Sequence, residues 1–448
     1  MKIVVHLWLA GLLLTGGVVM AQPAPDDIQS EAEAALVGGN PAKAASLARG
    51  LMANQPDAFV PAFLLALALF DTGDFTAAAR AAATAYGNAP TPLDKQQSAQ
   101  LAGNAYLAEG AFTRAAFWLR RAANHAESEE AFRQIAGTYQ EVRATNPLGF
   151  QVSAWLAPTD NINSGAESEV FQLEGLPFDF VLPPDRVALS GLEYGFDVAA
   201  TYRLASTSDQ TTTVGVYVFG QSYALSAESR VTAPDVNGDD FSYLATDLSL
   251  THLRQVFPQL GPTSLGLNGG RVWTGGTPTW DYVTLAFQQG IALRESASLT
   301  LRAAQTRQVS LVGAAPVDLT QLNATYRRSF ESGDLLEARV SGLYSDGGFE
   351  NIYSELTGEV GYTWDQLTDG LRLTGNVMLG YRTYDAFPTT LDGRRDHFGR
   401  LGVEALFTGV SYWGFSPRLS VAATRTVSSA EEYTTRSLEA QIGVTSTF

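Results

Sequence analysis

Roughly the last 300 residues of the chain alternate apolar and polar side chains with a period of two. The final segment shows the pattern best, because one apolar series interleaves with one polar series (Leu438, Ala440, Ile442, Val444 and Phe448 with Glu439, Gln441, Gly443, Thr445 and Thr447). The same alternation occurs over residues 352–364, 371–382 and 415–424. Because successive side chains of a strand point to opposite faces, the pattern predicts strands with one apolar and one polar face.

Two architectures can hold such strands. In a soluble sandwich the apolar faces meet in a core, whereas in an outer-membrane barrel they face lipid and the polar faces line a lumen. Segments of about ten residues or more fit a tilted membrane crossing. Tight connections (206–210, 294–297 and 331–334) alternate with extended ones (227–240 and 385–394), as in bacterial barrels. The terminal aromatic residue Phe448 resembles the C-terminal signal that barrel-assembly machinery reads. These features favour the barrel over the sandwich.

Fourteen segments with this alternation follow residue 147, and fourteen satisfies the even strand number of single-chain barrels. Their centres are Val152, Phe196, Val216, Asp247, Leu267, Thr284, Leu301, Asn323, Val340, Gly358, Val377, Gly402, Val421 and Ile442. The stretch 169–187 in the first connection is long and mixed. It is compatible with a large external loop or with a segment folded into the lumen.

Residues 27–146 have a different, helical period and contain internal repeats. Gly39-Asn40 and Gly73-Asp74 lie 34 residues apart, as do Pro56 and Pro90, and a third turn falls at Gly110. Small residues recur at equivalent helix positions (Ala44, Ala78 and Ala115). A period of 34 with a turn glycine, packing alanines and a closing proline resembles the tetratricopeptide repeat.

Two roles fit such a repeat region. It can offer a concave surface to a client protein, or it can serve only as a spacer or docking element for the rest of the molecule. Its basic residues are compatible with one binding face or with the solvated side of the helices (Lys43, Arg80, Arg114, Arg120 and Arg121). The sequence favours the binding role without excluding the spacer.

The N-terminus has the composition of a secretory signal peptide. Lys2 is followed by an apolar run from Ile3 to Val19, and Val19-Met20-Ala21 forms a small-residue cleavage pattern. The alternative, an uncleaved anchor, needs about 20 apolar residues. We therefore predict a signal peptide at 1–21, a periplasmic tetratricopeptide-like helical domain at 22–146 and an outer-membrane barrel at 147–448. The fold class is α+β multidomain, a helical solenoid followed by a transmembrane antiparallel barrel of about fourteen strands.

Composition and motifs argue against catalysis, metal binding and nucleic-acid binding. The chain has no cysteine and four histidines, and its net charge of −17 disfavours nucleic-acid binding. No nucleophile or metalloprotease motif surrounds the histidines beyond the first segment (His125, His252 and His397). The acidic stretch 235–240 has its glycine in the wrong place for a calcium loop, so a polar turn is expected. We expect no enzyme activity, no metal site and no cofactor.

Charged residues of both signs occupy the polar phase of the strands and are expected in the lumen. These candidate lumen charges are Glu337, Arg339, Glu355, Glu359, Arg372, Arg382, Arg400, Glu404, Arg418 and Glu439. An ion-pair network that braces the barrel is favoured over a selectivity device. Arg425 falls on the apolar phase, where it is expected to extend toward a membrane interface.

A short polar element, residues 157–164, follows the first strand and contains Asn161 and Asn163. On residue type alone it predicts a tight loop. The Asn-x-Asn element, the repeats and the fourteen-strand barrel together resemble the surface lipoprotein assembly modulators, which are outer-membrane translocators of type eleven secretion. The resemblance implies a barrel motif at Asn161 and Asn163, and it covers nearly the whole mature chain in architecture. The helical region, about 120 residues, is short for that family, which leaves room for clients that are not lipoproteins.

The expected function is therefore that of an outer-membrane protein translocator in a Gram-negative bacterium. Its helical domain would lie in the periplasm, and its partners would be outer-membrane lipid, the barrel-assembly machinery and a client protein or lipoprotein. The alternative is an outer-membrane exopolysaccharide export porin with periplasmic repeats. A lumen with charges of both signs supports that alternative less than a lumen with charges of one sign would.

Overall fold

The structure is a computed structural model that describes residues 25–173, 176–257, 259–348, 351–410, 412 and 415–446. The chain forms two compact units, with the boundary between Arg143 and Ala144. The predicted signal peptide at 1–21 and the predicted assembly signal Phe448 lie outside the described residues.

The first unit consists of helix pairs followed by one further helix. The helices are α1 (Pro25–Val37), α2 (Pro41–Asn54), α3 (Phe59–Asp71), α4 (Phe75–Asn88), α5 (Pro92–Ala108), α6 (Phe112–Ala123) and α7 (Glu129–Thr145). The repeat turns join the two helices of each pair, and their glycines adopt the positive φ that other residues avoid (Gly39, Gly73 and Gly110). No helix among the described residues is long and apolar enough to cross a membrane.

Side-chain caps begin two of the three helices that follow the turns, α2 and α4. Asn40 Oδ1 accepts from the Lys43 amide at 3.2 Å, and Asp74 Oδ1 accepts from the Ala77 amide at 3.1 Å. The core between the pairs is built largely of alanine, and the three predicted packing alanines are fully buried (Ala44, Ala78 and Ala115). Because alanine adds little bulk, the helices approach closely, as the repeat pattern predicts.

The second unit is a closed antiparallel barrel. Its strands are β1 (Leu148–Thr159), β4 (Gly191–Ser206), β5 (Gln210–Leu225), β6 (Tyr243–Arg254), β7 (Thr263–Thr274), β8 (Thr277–Arg294), β9 (Ala297–Ser310), β10 (Val317–Ser329), β11 (Leu335–Asp346), β12 (Tyr353–Thr368), β13 (Leu371–Tyr384), β14 (Arg394–Leu406), β15 (Phe415–Ser428) and β16 (Thr435–Ser446). Neighbours along the chain pair in order, and β1 pairs with β16 to close the ring. The predicted fold class is confirmed, and every predicted strand centre falls within one of these fourteen strands.

The outer wall of the barrel is apolar. Side chains of one phase are exposed along each strand, for example Leu356 at 59%, Val360 at 52% and Ile442 at 64%. Exposed aromatic residues lie near both strand ends (Tyr194, Tyr344 and Tyr381 at one end; Phe150, Tyr202 and Trp364 at the other). An apolar band between two aromatic girdles is the surface of a barrel that stands in lipid.

The two rims of the barrel differ in their connections. We call the end where β1 begins the proximal rim, and the opposite end the distal rim. The three predicted tight connections all lie at the proximal rim, and the two predicted extended ones lie at the distal rim. Connections 255–262 and 407–414 are longer proximal exceptions, and Gly275-Gly276 is a two-residue distal turn.

The first distal connection, 160–190, is partly a loop and partly packed in the barrel mouth. Its middle forms the small hairpin of β2 (Val170–Gln172) and β3 (Asp179–Val181). Its two ends contribute Ile162 and Leu189 to an apolar cluster with Tyr223, Leu225 and Ala233. Ala233 belongs to the next distal connection, which begins with the short helix α8 (Ala227–Thr232). The two connections therefore meet over the β1–β5 side of the mouth.

Candidate functional site

The ten predicted lumen charges lie in the strand phase opposite to the exposed apolar side chains. On β16, for example, Glu439 stands between the exposed Leu438 and Ala440. On β12, Glu355 adjoins the exposed Leu356, and Glu359 adjoins the exposed Val360. Because the apolar phase faces outward, the charged phase faces into the barrel. Arg372 is in the inward phase but stands at the proximal end of β13, beside the turn.

A chain of ion pairs crosses three neighbouring strands on the inner wall. Arg327 Nε lies 2.6 Å from Glu337 Oε2, and Arg339 Nη2 lies 2.7 Å from Glu337 Oε1. Arg339 also reaches Glu359 Oε2 at 3.6 Å. Glu337 is therefore shared by two guanidinium groups, and the network joins β10, β11 and β12 as a brace.

Other predicted charges form separate pairs. Arg382 lies 2.6 Å from Glu355 on the adjacent strand, and Arg418 lies 3.4 Å from Glu404. Arg372 pairs at 2.5 Å with Asp365, a residue that the sequence analysis missed. These contacts support the bracing role, because each links neighbouring strands through charges that face the lumen.

A recess of about 430 Å³ lies along the inner wall between β11 and β16. Its charged lining includes the braced residues Arg339, Glu359, Glu404 and Arg418, together with Arg400. Arg400 and Glu439 form no ion pair with any residue that the structure describes. The recess therefore presents charges of both signs.

One buried ion pair was missed from the sequence. On β14, Arg394 donates from Nε and Nη2 to the two oxygens of Asp396 at 2.9 and 2.7 Å, and Asp396 is only 2% exposed. The Arg394 guanidinium also lies 4.8, 4.9 and 3.6 Å from the ring centres of Tyr384, Phe387 and Tyr433. The alternation of β14 places both charges on the inward face, whereas the rings come from the end of β13 (Tyr384) and from two distal connections (Phe387 and Tyr433).

Asn161 of the predicted family motif joins the first and last barrel strands. Its Nδ2 donates to the Arg436 carbonyl oxygen at 2.8 Å and to the Gly165 carbonyl oxygen at 3.0 Å. Its Oδ1 accepts from the Gly165 amide at 2.8 Å. The predicted tight loop is present, and the same side chain also reaches β16.

Asn163 has a different role in the same segment. Its Nδ2 donates to the carbonyl oxygens of Asp185 and Val187 at 2.8 and 2.7 Å, and its Oδ1 accepts from the Leu189 amide at 3.0 Å. These bonds tie the beginning of the 160–190 connection to its end. Asn163 therefore fixes the loop on itself, whereas Asn161 fixes the loop to β16.

Arg425 lies on the outward face near the distal rim, in the apolar phase that the sequence indicates. Its guanidinium lies 3.7 Å from Glu167, and Arg436 on the neighbouring strand lies 3.6 Å from the same carboxylate. Glu167 belongs to the first distal connection, and its amide donates to the Thr434 carbonyl oxygen at 2.8 Å. The connection thus also bonds to β15 and β16 from outside the wall.

Each of the three histidines beyond the predicted signal peptide has its own local contact. His252 contacts the Thr212 hydroxyl at 2.9 Å, His397 packs against the Tyr381 ring, and His125 contacts the Tyr86 hydroxyl at 3.0 Å. In the helical unit, burial lowers the pKa of His125, and the Lys95 and Arg121 charges lower it further. No cluster of three or more potential metal ligands occurs among the described residues. The calcium-like stretch forms a capped 3-10 turn, Gly238–Phe241.

No protein-family model matches the sequence, and a search of curated proteins finds no match. Among solved structures, the helical part is similar to the type III secretion translocator chaperone SycD of Yersinia enterocolitica, with 12% identity over 28% of this chain and 88% of that chain and a TM-score of 0.25. The barrel is similar to a loop-deletion mutant of OmpT, an outer membrane protein of Vibrio cholerae, with 9% identity over 67% and 99% of the two chains and a TM-score of 0.33. It is also similar to a mutant of the TodX monoaromatic hydrocarbon channel, with 9% identity over 68% and 91% and a TM-score of 0.33.

Proposed function

We propose that this chain is an outer-membrane translocator that helps a periplasmic client protein or lipoprotein reach the cell surface. One observation carries the proposal: a single chain joins a helix-pair unit to a closed fourteen-stranded barrel with an apolar outer wall and a charged inner wall. The first part is suited to holding a protein, and the second to crossing a lipid bilayer.

The outer wall supports the membrane part of the proposal. A soluble protein rarely exposes a continuous apolar band, because each exposed apolar side chain forgoes the stabilisation of burial. Here the band surrounds the barrel and ends in aromatic residues at both rims. Short proximal turns and longer distal connections support an orientation with the proximal rim in the periplasm. The helical unit precedes β1, which begins at that rim, so it would also lie in the periplasm.

The inner wall supports passage of a hydrated polypeptide. Its charges are of both signs and are mostly paired, so the wall does not favour a polymer of one charge. No nucleotide is available in the periplasm. The driving force for passage would therefore be folding or binding of the client outside the cell.

The proposal is tested by deleting the gene and shaving intact cells with protease. We expect one or more surface proteins to become protected from protease, and plasmid-borne expression of the full chain to restore their cleavage. A second strain that expresses the barrel without residues 25–143 tests whether the helical unit is required. Unchanged protease accessibility of every surface protein after deletion would overturn the proposal. Loss of surface polysaccharide with unchanged surface proteins would instead favour the export porin.

The membrane-embedded barrel has its own test. Heating should change the gel mobility of the purified protein, because a closed barrel resists detergent unless it is heated. The protein should also fractionate with the outer membrane. A heat-independent mobility together with recovery in the soluble fraction would contradict the barrel assignment.

A further inference from the structure

Strand β1 has two neighbours, β16 and β4, and we call its junction with β16 the seam. Fewer residues of β1 are paired across the seam than with β4. Across the seam the described residues pair from Ser153 to Leu156 and again at Thr159, with no pair at Ala157 or Pro158. With β4, in contrast, β1 pairs at every position from Leu148 to Thr159. The seam is therefore interrupted on the distal side of its centre.

Pro158 explains the interruption. The Val152 amide donates to Ser446 Oγ at 3.2 Å, and the Asp160 amide donates to the Leu438 carbonyl oxygen at 3.4 Å. Even-numbered residues of β1 therefore direct their amides toward β16. Pro158 belongs to this series and has no amide hydrogen, so it cannot donate across the seam. Within sheets, proline is confined largely to edge strands, and here its bare nitrogen faces the closing strand.

Distal to Pro158, the seam is held largely by the first connection. Asp160 Oδ1 accepts from the Leu438 amide at 2.7 Å, and Asn161 Nδ2 donates to the Arg436 carbonyl oxygen at 2.8 Å. Outside the wall, Glu167 pairs with Arg425 and Arg436. We call Asp160, Asn161 and Glu167 the latch. Because the latch belongs to a connection, it can release β16 without breaking the β1–β4 ladder.

We propose that the distal half of the β1–β16 seam opens sideways and releases a lipid-anchored client segment from the lumen into the outer leaflet. The inference rests on the proposed function, and what it adds is the route by which a lipidated client leaves the barrel. An acyl chain is unfavourable beside the charged inner wall, because apolar surface gains free energy only in an apolar environment. An opening between Leu156 and Ile442 leads directly to lipid, since both side chains are exposed on the outer wall.

A disulfide across the seam tests the route. Thr159 and Glu439 are register partners at the distal end of the seam, beyond Pro158. Their odd-numbered position makes them a non-hydrogen-bonded pair, in which cross-strand side chains are closest. The chain has no cysteine, so the variant Thr159→Cys/Glu439→Cys carries only the engineered pair, and its reduced form is the control for loss of the Glu439 charge. The matched control is T363C/T374C, whose parent hydroxyls lie 3.0 Å apart on β12 and β13.

Both variants are expressed in the deletion strain, and disulfide formation is checked by thiol alkylation. We expect the seam disulfide to abolish protease accessibility of a surface lipoprotein on intact cells, and a reductant to restore it, while the control disulfide has no effect. Delivery that continues with the seam fully oxidised would overturn the lateral route and leave the translocator function standing. If deletion itself changes no surface protein, the proposed function fails, and the lateral route fails with it.

A second test needs no client. In the full-length protein in lipid nanodiscs, hydrogen exchange should be faster for amides of residues 436–446 than for those of 371–384. Pro158→Val should slow exchange in 436–446 about fivefold, the factor expected for one added backbone hydrogen bond. The control is Pro417→Val on β15, where the Pro417 carbonyl oxygen accepts from the Phe407 amide. The Pro417 backbone therefore faces the β14 side, and an added amide there should not bond to β16. Equal exchange in the two segments, or no change with Pro158→Val, would contradict a weak seam.

Discussion

Asn161 donates a hydrogen bond to the carbonyl oxygen of Arg436 at 2.8 Å, and this contact joins residues that lie 275 positions apart in the chain. The side chain is almost fully buried, at 8% exposed, and both its amide groups are used. The contact exists only when the last strand has closed on the first. Asn161 therefore stabilises barrel closure in particular, rather than any single hairpin.

Replacing Asn161 by Ala should weaken closure. The variant loses the side-chain bonds to Arg436 and Gly165 and leaves buried backbone groups unpaired, which costs about 1–3 kcal/mol. We expect faster hydrogen exchange in residues 436–446 and a lower denaturant midpoint for the barrel.

Asn163→Ala is the matched control for Asn161→Ala. It removes bonds to the backbone of residues 185–189 and none to β16, so exchange should rise in the loop and stay unchanged in 436–446. If the two variants affect residues 436–446 equally, Asn161 has no special role in closure.

The contrast between the lumen charges and the latch shows what this sequence can predict. The face of a strand on which a residue lies depends only on its position in the local alternation. Alternation alone therefore places Glu337 and Arg382 on the inner wall. The partner of Asn161 depends on barrel closure, and no pattern within residues 157–164 encodes Arg436. The ring cage around Arg394 depends in the same way on two distal connections that meet only in the folded barrel. The face on which a strand residue lies was therefore accessible from sequence, and contacts that depend on closure and loop packing were not.

Arg394 and Asp396 should behave as a unit. Arg394→Met leaves the Asp396 carboxylate buried without its cation, and breaking a buried pair in this way costs about 3–5 kcal/mol. The double variant Arg394→Met/Asp396→Leu removes both charges and should recover much of that loss. The measurement is the denaturant midpoint of the folded barrel. A double variant less stable than Arg394→Met would show that the carboxylate is stabilised by other groups.

Glu337 should set part of the ion preference of the lumen. Glu337→Gln removes the carboxylate shared by Arg327 and Arg339, which leaves two guanidinium groups facing the lumen with less compensation. We expect the anion-to-cation permeability ratio, obtained from reversal potentials in planar bilayers, to rise about twofold, because lumen substitutions tune selectivity. The control Glu33→Gln makes the same charge change in α1 and should leave the reversal potential unaltered. A shift of equal size in the control would rule out a local effect of Glu337.

His125 should make the helical unit sensitive to acid. Burial first, and then the Lys95 and Arg121 charges, hold the pKa of His125 in the folded unit below its ordinary value of 6.5. As pH falls through 6.5, the unfolded chain therefore takes up the proton before the folded unit does. The contribution of neutral His125 to the free energy of unfolding is complete above that pH and declines below it. Thermal unfolding of the full-length protein, followed by the circular dichroism of its helices, should show a lower midpoint at pH about 5.5 than at about 7.5. The difference between the two pH values should be smaller in His125→Gln, which cannot titrate. An equal acid shift in both proteins would assign the pH dependence to other groups.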